Sequence, residues 1–326
     1  MNALFLAGTA FVEKTMLELR RSFLEGARKR GIEVADPVGG LVLTDSDFDS
    51  ACENVRSTRK PWAFIMCSWL DEEQIMHLAR EVYPMPLILV GFDGPSELIS
   101  VSGVMAAASD LKRVRVPFVH VVGSMLDEHF WRKLGAAFKA AQAVVDLHGA
   151  RIGLIGHSCP GMVSMLCDES ELQRLGPRVI HVSLADIMHQ AKTQLEDPAV
   201  ARKVKADMSG LPADTCREDP AFPLAVSVYY AIRRVVDENN LKAVAIKCWP
   251  EMPEVLGTSP CYALSRLEDE GICTTCEADT LSATTQLALR SLSGAATFVG
   301  DTAGYSKDTN VLHLWHTGAA AMRSEE

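Results

Sequence analysis

The sequence predicts an α/β protein made of two Rossmann-like, doubly wound parallel-sheet domains, followed by the start of a C-terminal β domain. Short, wholly aliphatic runs alternate with longer amphipathic segments, as strands buried on both faces alternate with the helices that cover them. Of the 326 residues, 48% are hydrophobic but only 6% aromatic, which suits layers of Ala, Val, Leu and Ile and is material enough for two domains. A long helical period closes at Gly149, and a fresh strand-and-turn, RIGLIG, opens at Arg151, which predicts a domain border there.

The strands are expected at 3–7, 62–66, 87–90, 118–122, 152–155, 179–183, 243–246 and 311–315. The first helix runs from Glu13 to Arg30 and stops at Gly31. A second runs from Asp127 to His148, with Phe130, Leu134, Phe138, Ala141 and Val145 on one face, and Ser124 with Asp127 as a capping box before it. The polar, proline-containing stretch from Thr193 to Phe222 is expected as a surface excursion or lid. These elements give an N-terminal α/β domain over 1–149, a second α/β domain over 150–292 and a truncated C-terminal domain from 293 to 326.

Charge narrows the function. With 32 basic and 42 acidic residues the formal charge is −10, which argues against nucleic acid or an anionic membrane as a partner. The local basic run at Lys112, Arg113 and Arg115 reads as a solvated loop. No apolar run approaches a membrane span, and the N-terminus MNALFLAG lacks the preceding basic segment of a signal peptide. Nine scattered cysteines, an odd number, read as reduced thiols in a cytoplasmic protein.

Several motifs sit where strands end. Residues 156–161 (GHSCPG) miss the G-x-S-x-G elbow by one residue and miss the dinucleotide fingerprint, leaving a tight turn of the kind that borders ligand crevices. Cys273 and Cys276 form a lone CxxC, which lacks the four ligands of a structural zinc site and reads as two buried or half-buried thiols. In AIKCWPEM, Glu251 falls just past the end of a buried strand; in CTTCEADTLSATTQLAL, Asp279 falls just before a helix. Two carboxylates delivered to ends of elements, where a parallel sheet opens its crevice, can hold a divalent cation or divide acid and base work between them. Singly, Asp279 reads as a helix N-cap and Glu251 as a surface carboxylate.

Together, RIGLIGHSCPGM, KCWPEM, CEADTLSATT and the stretch from Ser293 to Ala319 resemble the L-fucose isomerase-like family, a distant relation of L-arabinose isomerases. The resemblance covers residues 150–319 and carries no sharp motif before that. It implies an aldose–ketose isomerase working through a cis-enediol with a divalent metal, usually Mn²⁺, on a monosaccharide, in a homo-oligomer. It implies that Glu251 and Asp279 are catalytic and ligate the metal. Trp69 and His316 are further candidates for substrate contact. The third ligand in such relatives is a histidine in a C-terminal β region, and this chain ends at Glu326 with His316 too early to match it. The alternatives are a catalytically impaired sugar-binding or regulatory relative, and a structural role in assembly.

Overall fold

A computed structural model describes residues 1–210, 219–316 and 320–322. The chain is α/β, with two parallel sheets of five and four strands and a small antiparallel hairpin near its C-terminal end. It divides into two compact units, Met1–Val145 and Asp146–Glu326, the division falling in the last turn of a helix that ends at Leu147. The hairpin belongs to the second unit.

In the first unit β1 (Asn2–Leu6), α1 (Glu13–Lys29), β2 (Leu41–Val42), α2 (Asp45–Ser57), β3 (Trp62–Met66), α3 (Glu72–Val82), β4 (Leu87–Phe92), α4 (Ser100–Arg113), β5 (Phe118–Gly123) and α5 (Glu128–Leu147) alternate without a break. The strands lie in the order β2-β1-β3-β4-β5, all parallel. Every residue of β3 and β4 is buried, as aliphatic runs covered on both faces must be. One face packs Phe5, Phe23, Phe92 and Phe130 edge to edge, and the other packs Leu4, Phe64, Leu78 and Leu89.

The second unit contains β6 (Arg151–Ile155), α6 (Glu169–Leu175), β7 (Arg178–Val182), α7 (Leu184–Thr193), α8 (Pro198–Gly210), α9 (Phe222–Asn239), β8 (Ala243–Ile246), α10 (Cys261–Asp269), β9 (Cys273–Thr275), α11 (Thr280–Ser293), β10 (Asp301–Ser306) and β11 (Val311–Trp315). Its parallel sheet runs β7-β6-β8-β9, while β10 and β11 pair antiparallel. In both sheets the first strand has its successors on opposite sides, so each has a switch point: β1/β3 in one, β6/β8 in the other. Crevices open outside the carboxyl ends of strands at such points.

All eight expected strands form. The short β2 and β9 and the exposed β10 were not among them, because two- and three-residue strands and a solvent-facing hairpin carry no aliphatic run to read. Three local expectations are corrected. The stretch from Thr193 contains α8, which buries Val204; residues 211–218 of the expected excursion lie outside the described residues. Asp127 caps α5 directly, its Oδ1 accepting the His129 amide at 2.8 Å, whereas the Ser124 hydroxyl accepts from Leu126, so the two do not form a reciprocal box. Lys112 and Arg113 form the last turn of α4, where cations complement the exposed carbonyls, and only Arg115 lies beyond it.

Candidate active site

The β6/β8 switch point gathers the chemistry of the second unit. The turn after β6 begins at Gly156, whose backbone is left-handed (φ 84°); a Cβ there would stand 3.0 Å from the Lys247 Cβ. Glycine at this position lets the loop after β6 lie against the loop after β8. The latter loop carries Lys247, Cys248 and Glu251, and a third loop, after β9, carries Cys276, Glu277 and Asp279. The last two loops are tied together by the Ala278 amide, which donates to the carbonyl of Ile246 at 3.0 Å. Glu277 and Ala278 both hold φ near +60°, a conformation that costs side-chain-bearing residues energy and is held by its surroundings.

Glu251 receives the Lys247 ammonium on Oε1 at 2.5 Å, and this partner holds its carboxyl below the usual carboxylate range. Its other oxygen, Oε2, is shielded from solvent and has no hydrogen-bond partner among the described residues, although the side chain as a whole is 37% exposed. Asp279 is the N-cap of α11: Oδ1 accepts the Ser282 amide at 2.9 Å, and its carbonyl accepts the Thr275 hydroxyl at 2.8 Å.

Beside these loops lies a cavity of about 220 Å³, whose lining includes Thr275, Cys276, Glu277, Asp279, Asp301 and His316. His316 is largely buried and bridges two of its walls. Its Nδ1 lies 3.1 Å from Asp301 Oδ2, and its Nε2 lies 2.9 Å from the Cys276 sulfur. The carboxylate fixes the ring and favours a proton on Nδ1, which leaves Nε2 to accept from the thiol. On its other side Cys276 adjoins Cys248; the two thiols interact, which lowers Cys248 below the usual thiol range and pushes Cys276 up. The deeply buried Cys159 contributes a third thiol beside Cys248. Cys273, the first thiol of the CxxC, is fully buried on the core side and pushed up by burial to about 12.

Of the four candidates read from the sequence, Asp279 and His316 line one cavity, and Glu251 lies on the adjoining loop without lining it. Trp69 lies in the first unit, 39% exposed, in a separate crevice of about 530 Å³ with Gly8, Thr44, Asp45 and Asp71. Lys247, Cys248 and Asp301 escaped the sequence reading. Lys247 had a signal, the i,i+4 spacing to Glu251; the pairing of Asp301 with His316 comes from the hairpin and had none. Among the described residues no three of His, Cys, Asp or Glu stand close enough together to hold a metal ion.

No family model matches the chain. It is 28% identical over 288 residues to the sulfoquinovose isomerase of Alkalicoccus urumqiensis, which covers 86% of this chain and 64% of that protein. Sulfoquinovose isomerases of Clostridium sp. (strain MSTE9) and Priestia megaterium are 27% identical over 232 residues and 25% identical over 288 residues. They cover 70% and 86% of this chain, and 51% and 64% of their own lengths. These similar proteins are all sulfoquinovose isomerases. This overturns the resemblance to the L-fucose isomerase-like family: the matches lie with sulfoquinovose isomerases, and the blocks quoted for that family are not specific to it. A periplasmic solute-binding protein of Actinobacillus succinogenes 130z with bound D-allose aligns at 11% identity with a TM-score of 0.22, too low to carry an argument. Among the described residues no helix is long and apolar enough to cross a membrane.

Proposed function

We propose that this chain carries the proton-transfer site of an aldose–ketose isomerase. The observation that supports it best is the shielded Oε2 of Glu251, without a hydrogen-bond partner among the described residues, on a carboxylate kept ionised by Lys247 in the loop after β8 at a switch point, in a chain similar to sulfoquinovose isomerases. A carboxylate oxygen with no donor of its own is a ready proton acceptor. In this reading Glu251 removes the proton from the carbon next to the carbonyl and returns it to the neighbouring carbon of the cis-enediol, while the proton of the adjoining hydroxyl passes to the former carbonyl oxygen. Asp279, held rigid as a helix cap, accepts from the sugar hydroxyls, and His316 contacts the sugar from the opposite wall. Lys247 keeps Glu251 charged before the reaction and balances it afterwards.

A divalent metal belongs to the proposal only as an addition. Glu251 and Asp279 are two carboxylates, and the described residues supply no group of three donors, so they do not make a metal site by themselves.

For the substrate, the cavity lining holds three carboxylates, Glu277, Asp279 and Asp301, against one imidazole. That balance favours a neutral polyhydroxylated aldose over the sulfonated sugar of the relatives, unless a cation from another region meets the sulfonate. The test is ketose formation, with and without Mn²⁺, from sulfoquinovose and a panel of neutral hexoses and deoxyhexoses. Turnover that is lost in Glu251→Gln supports the proposal. No turnover of any member by folded, metal-loaded protein sinks it.

A second reading, a sugar-binding relative without catalysis, draws on the commitment of Asp279 Oδ1 to capping and of Glu251 Oε1 to Lys247. It predicts calorimetric sugar binding that survives chelator and Glu251→Gln.

A further inference from the structure

The cavity beside β9 holds three side chains in line. The Cys276 sulfur lies 2.9 Å from His316 Nε2, and Nδ1 of the same ring lies 3.1 Å from Asp301 Oδ2. All three residues line the cavity of about 220 Å³. They come from separate elements: Cys276 from the loop after β9, Asp301 from the first residue of β10 and His316 from the residue after β11. The hairpin register brings the last two together, because Asp301 pairs with Trp315. The ring is largely buried, with 11% of its side chain exposed, while the carboxylate reaches solvent. A carboxylate on Nδ1 fixes the tautomer, so Nε2 offers its lone pair to the Cys276 S–H. A base within hydrogen-bond reach of a thiol, itself oriented by a carboxylate, makes a nucleophile of a protonated group. The isomerase steps leave this thiol unused. The other walls suit an acyl group. Met165 and Val299 are apolar, and α11 brings its N-terminus to the cavity through Asp279 and Ser282. Asp279 caps only the Ser282 amide, so the Thr280 and Leu281 amides of the first turn have no intrahelical acceptor. Such amides stabilise an oxyanion.

We propose that Cys276, His316 and Asp301 form an acyl-transfer triad, and that the cavity takes small uncharged esters and thioesters onto the Cys276 sulfur. In the first step the thiol gives its proton to His316 Nε2 and the sulfur attacks the carbonyl carbon. The C–S bond forms and the carbonyl π pair moves onto oxygen. When that pair returns, the bond to the leaving group breaks, and the departing alcohol or thiol takes the proton from His316. In the second step a water gives a proton to His316 and its oxygen attacks the thioester carbon. The C–S bond breaks, the sulfur recovers the proton, and the carboxylic acid leaves. Nothing is oxidised or reduced. Asp301 is a positioning residue: it holds the ring and balances the imidazolium between transfers. The small volume limits the acyl group to a few carbons, and the carboxylates of Glu277, Asp279 and Asp301 disfavour an anionic one. This activity shares its cavity with the sugar of the isomerase reading and does not rest on that reading.

The experiment gives the full chain p-nitrophenyl acetate at neutral pH, follows p-nitrophenolate release, and maps acetyl groups by mass spectrometry after an acid quench. Cys167 and Cys261, half-exposed like Cys276, serve as internal references. Assistance by a positioned base is worth about 10²–10⁴-fold, so Cys276 should be acetylated at least about 100-fold faster than either reference. Release should continue past one equivalent per chain. His316→Gln, shown to be folded by circular dichroism, should slow acetylation of Cys276 about 100-fold. Asp301→Asn should lower kcat with KM unchanged, and Asp301→Glu should restore most of it. The anionic p-nitrophenyl hydrogen succinate should react about tenfold more slowly than the acetate. Acetylation of Cys276 no faster than that of Cys167, or unchanged in folded His316→Gln, would overturn the triad. An acetyl group that stays on Cys276, with release stopping at one equivalent, removes the hydrolytic step. An unaltered kcat in Asp301→Asn removes the positioning role, and equal rates for the two esters remove the charge selection. Mapping on the wild-type chain needs no variant to fold, and no readout uses a sugar, so failure here and failure of the isomerase reading are told apart.

Discussion

Replacing Glu268 with Gln will change the pH dependence of stability, and the size of the effect can be worked from its surroundings. Glu268 is fully buried on α10, behind the strand that ends at the active-site crevice. Its Oε1 accepts the Thr274 amide at 2.5 Å, and the Arg290 guanidinium stands 3.4 Å from Oε2. Burial outweighs both favourable partners and raises the carboxyl from the ordinary 4.5 to about 7. A folded-state value above the unfolded one means that the folded chain holds the proton more tightly. The resulting stability is fully present below the unfolded value and is lost as pH rises through the folded one. A displacement from 4.5 to about 7 corresponds to about 3 kcal/mol between the two limits. Gln keeps the amide acceptor for Thr274 and removes the titration. The variant should therefore match wild type near pH 4.5 and exceed it near pH 8, by about 6–12 °C in melting temperature for a unit of this size. Melting both proteins across pH 4.5–8 by circular dichroism reads this directly. A constant difference between them, or one that shrinks as pH rises, would refute the reasoning.

Four further outcomes are expected. Glu251→Gln should lower kcat by about 10²–10⁴-fold with little change in KM, measured on whichever sugar turns over. Lys247→Met should move the acid limb of the pH–rate profile upward, because the ammonium is what holds Glu251 below its usual range; an unmoved limb would separate Glu251 from the rate. Gly156→Ala should destabilise the second unit by about 1–2 kcal/mol in urea unfolding, since the left-handed backbone is strained for alanine and the new Cβ presses on Lys247. Titration of Mn²⁺ by calorimetry tests the metal addition: binding that weakens in Glu251→Gln supports it, and no heat at millimolar metal removes it.

The sequence disclosed what depends on burial in layers. Runs such as WAFIM and LILVGF have no polar face, so their only stable home is a strand covered on both sides, and both are fully buried. The end of α1 was legible because Gly31 supplies the left-handed residue that stops a helix. Element ends were legible as places, so Glu251 could be put past the carboxyl end of β8 and Asp279 just before α11. What those loops assemble was not. The meeting of Cys159, Cys248 and Cys276 depends on three strands separated by many residues, and the pairing of His316 with Asp301 depends on a hairpin whose strands are exposed and carry no alternation. The CxxC misled for a related reason. Two cysteines three apart are neighbours in sequence, but Cys273 lies within β9 facing the core while Cys276 lies beyond its end.

The two sheets share a winding, and the comparison of their crevices explains why chemistry is proposed for only one. In the first unit the β1/β3 crevice is made possible by Gly8, where a Cβ would meet the Trp69 carbonyl at 2.4 Å. Two of its polar side chains are engaged in capping: Thr44 in a reciprocal box with Asp47 on α2, and Asp71 on α3 through the Glu73 amide. A group that caps a helix leaves little of its hydrogen-bonding capacity for a ligand, so that crevice offers a tryptophan face and a rim of caps. In the second unit capping engages one oxygen of Asp279, and the remaining groups answer to each other. Lys247 faces Glu251, and His316 faces Asp301 on one side and Cys276 on the other. Such arrangements do little for helix ends: the Lys247 ammonium holds Glu251 below its usual range, and Asp301 and Cys276 fix the His316 ring from both sides. Topology supplies two crevices in this chain, and capping engages more of the polar side chains of one than of the other.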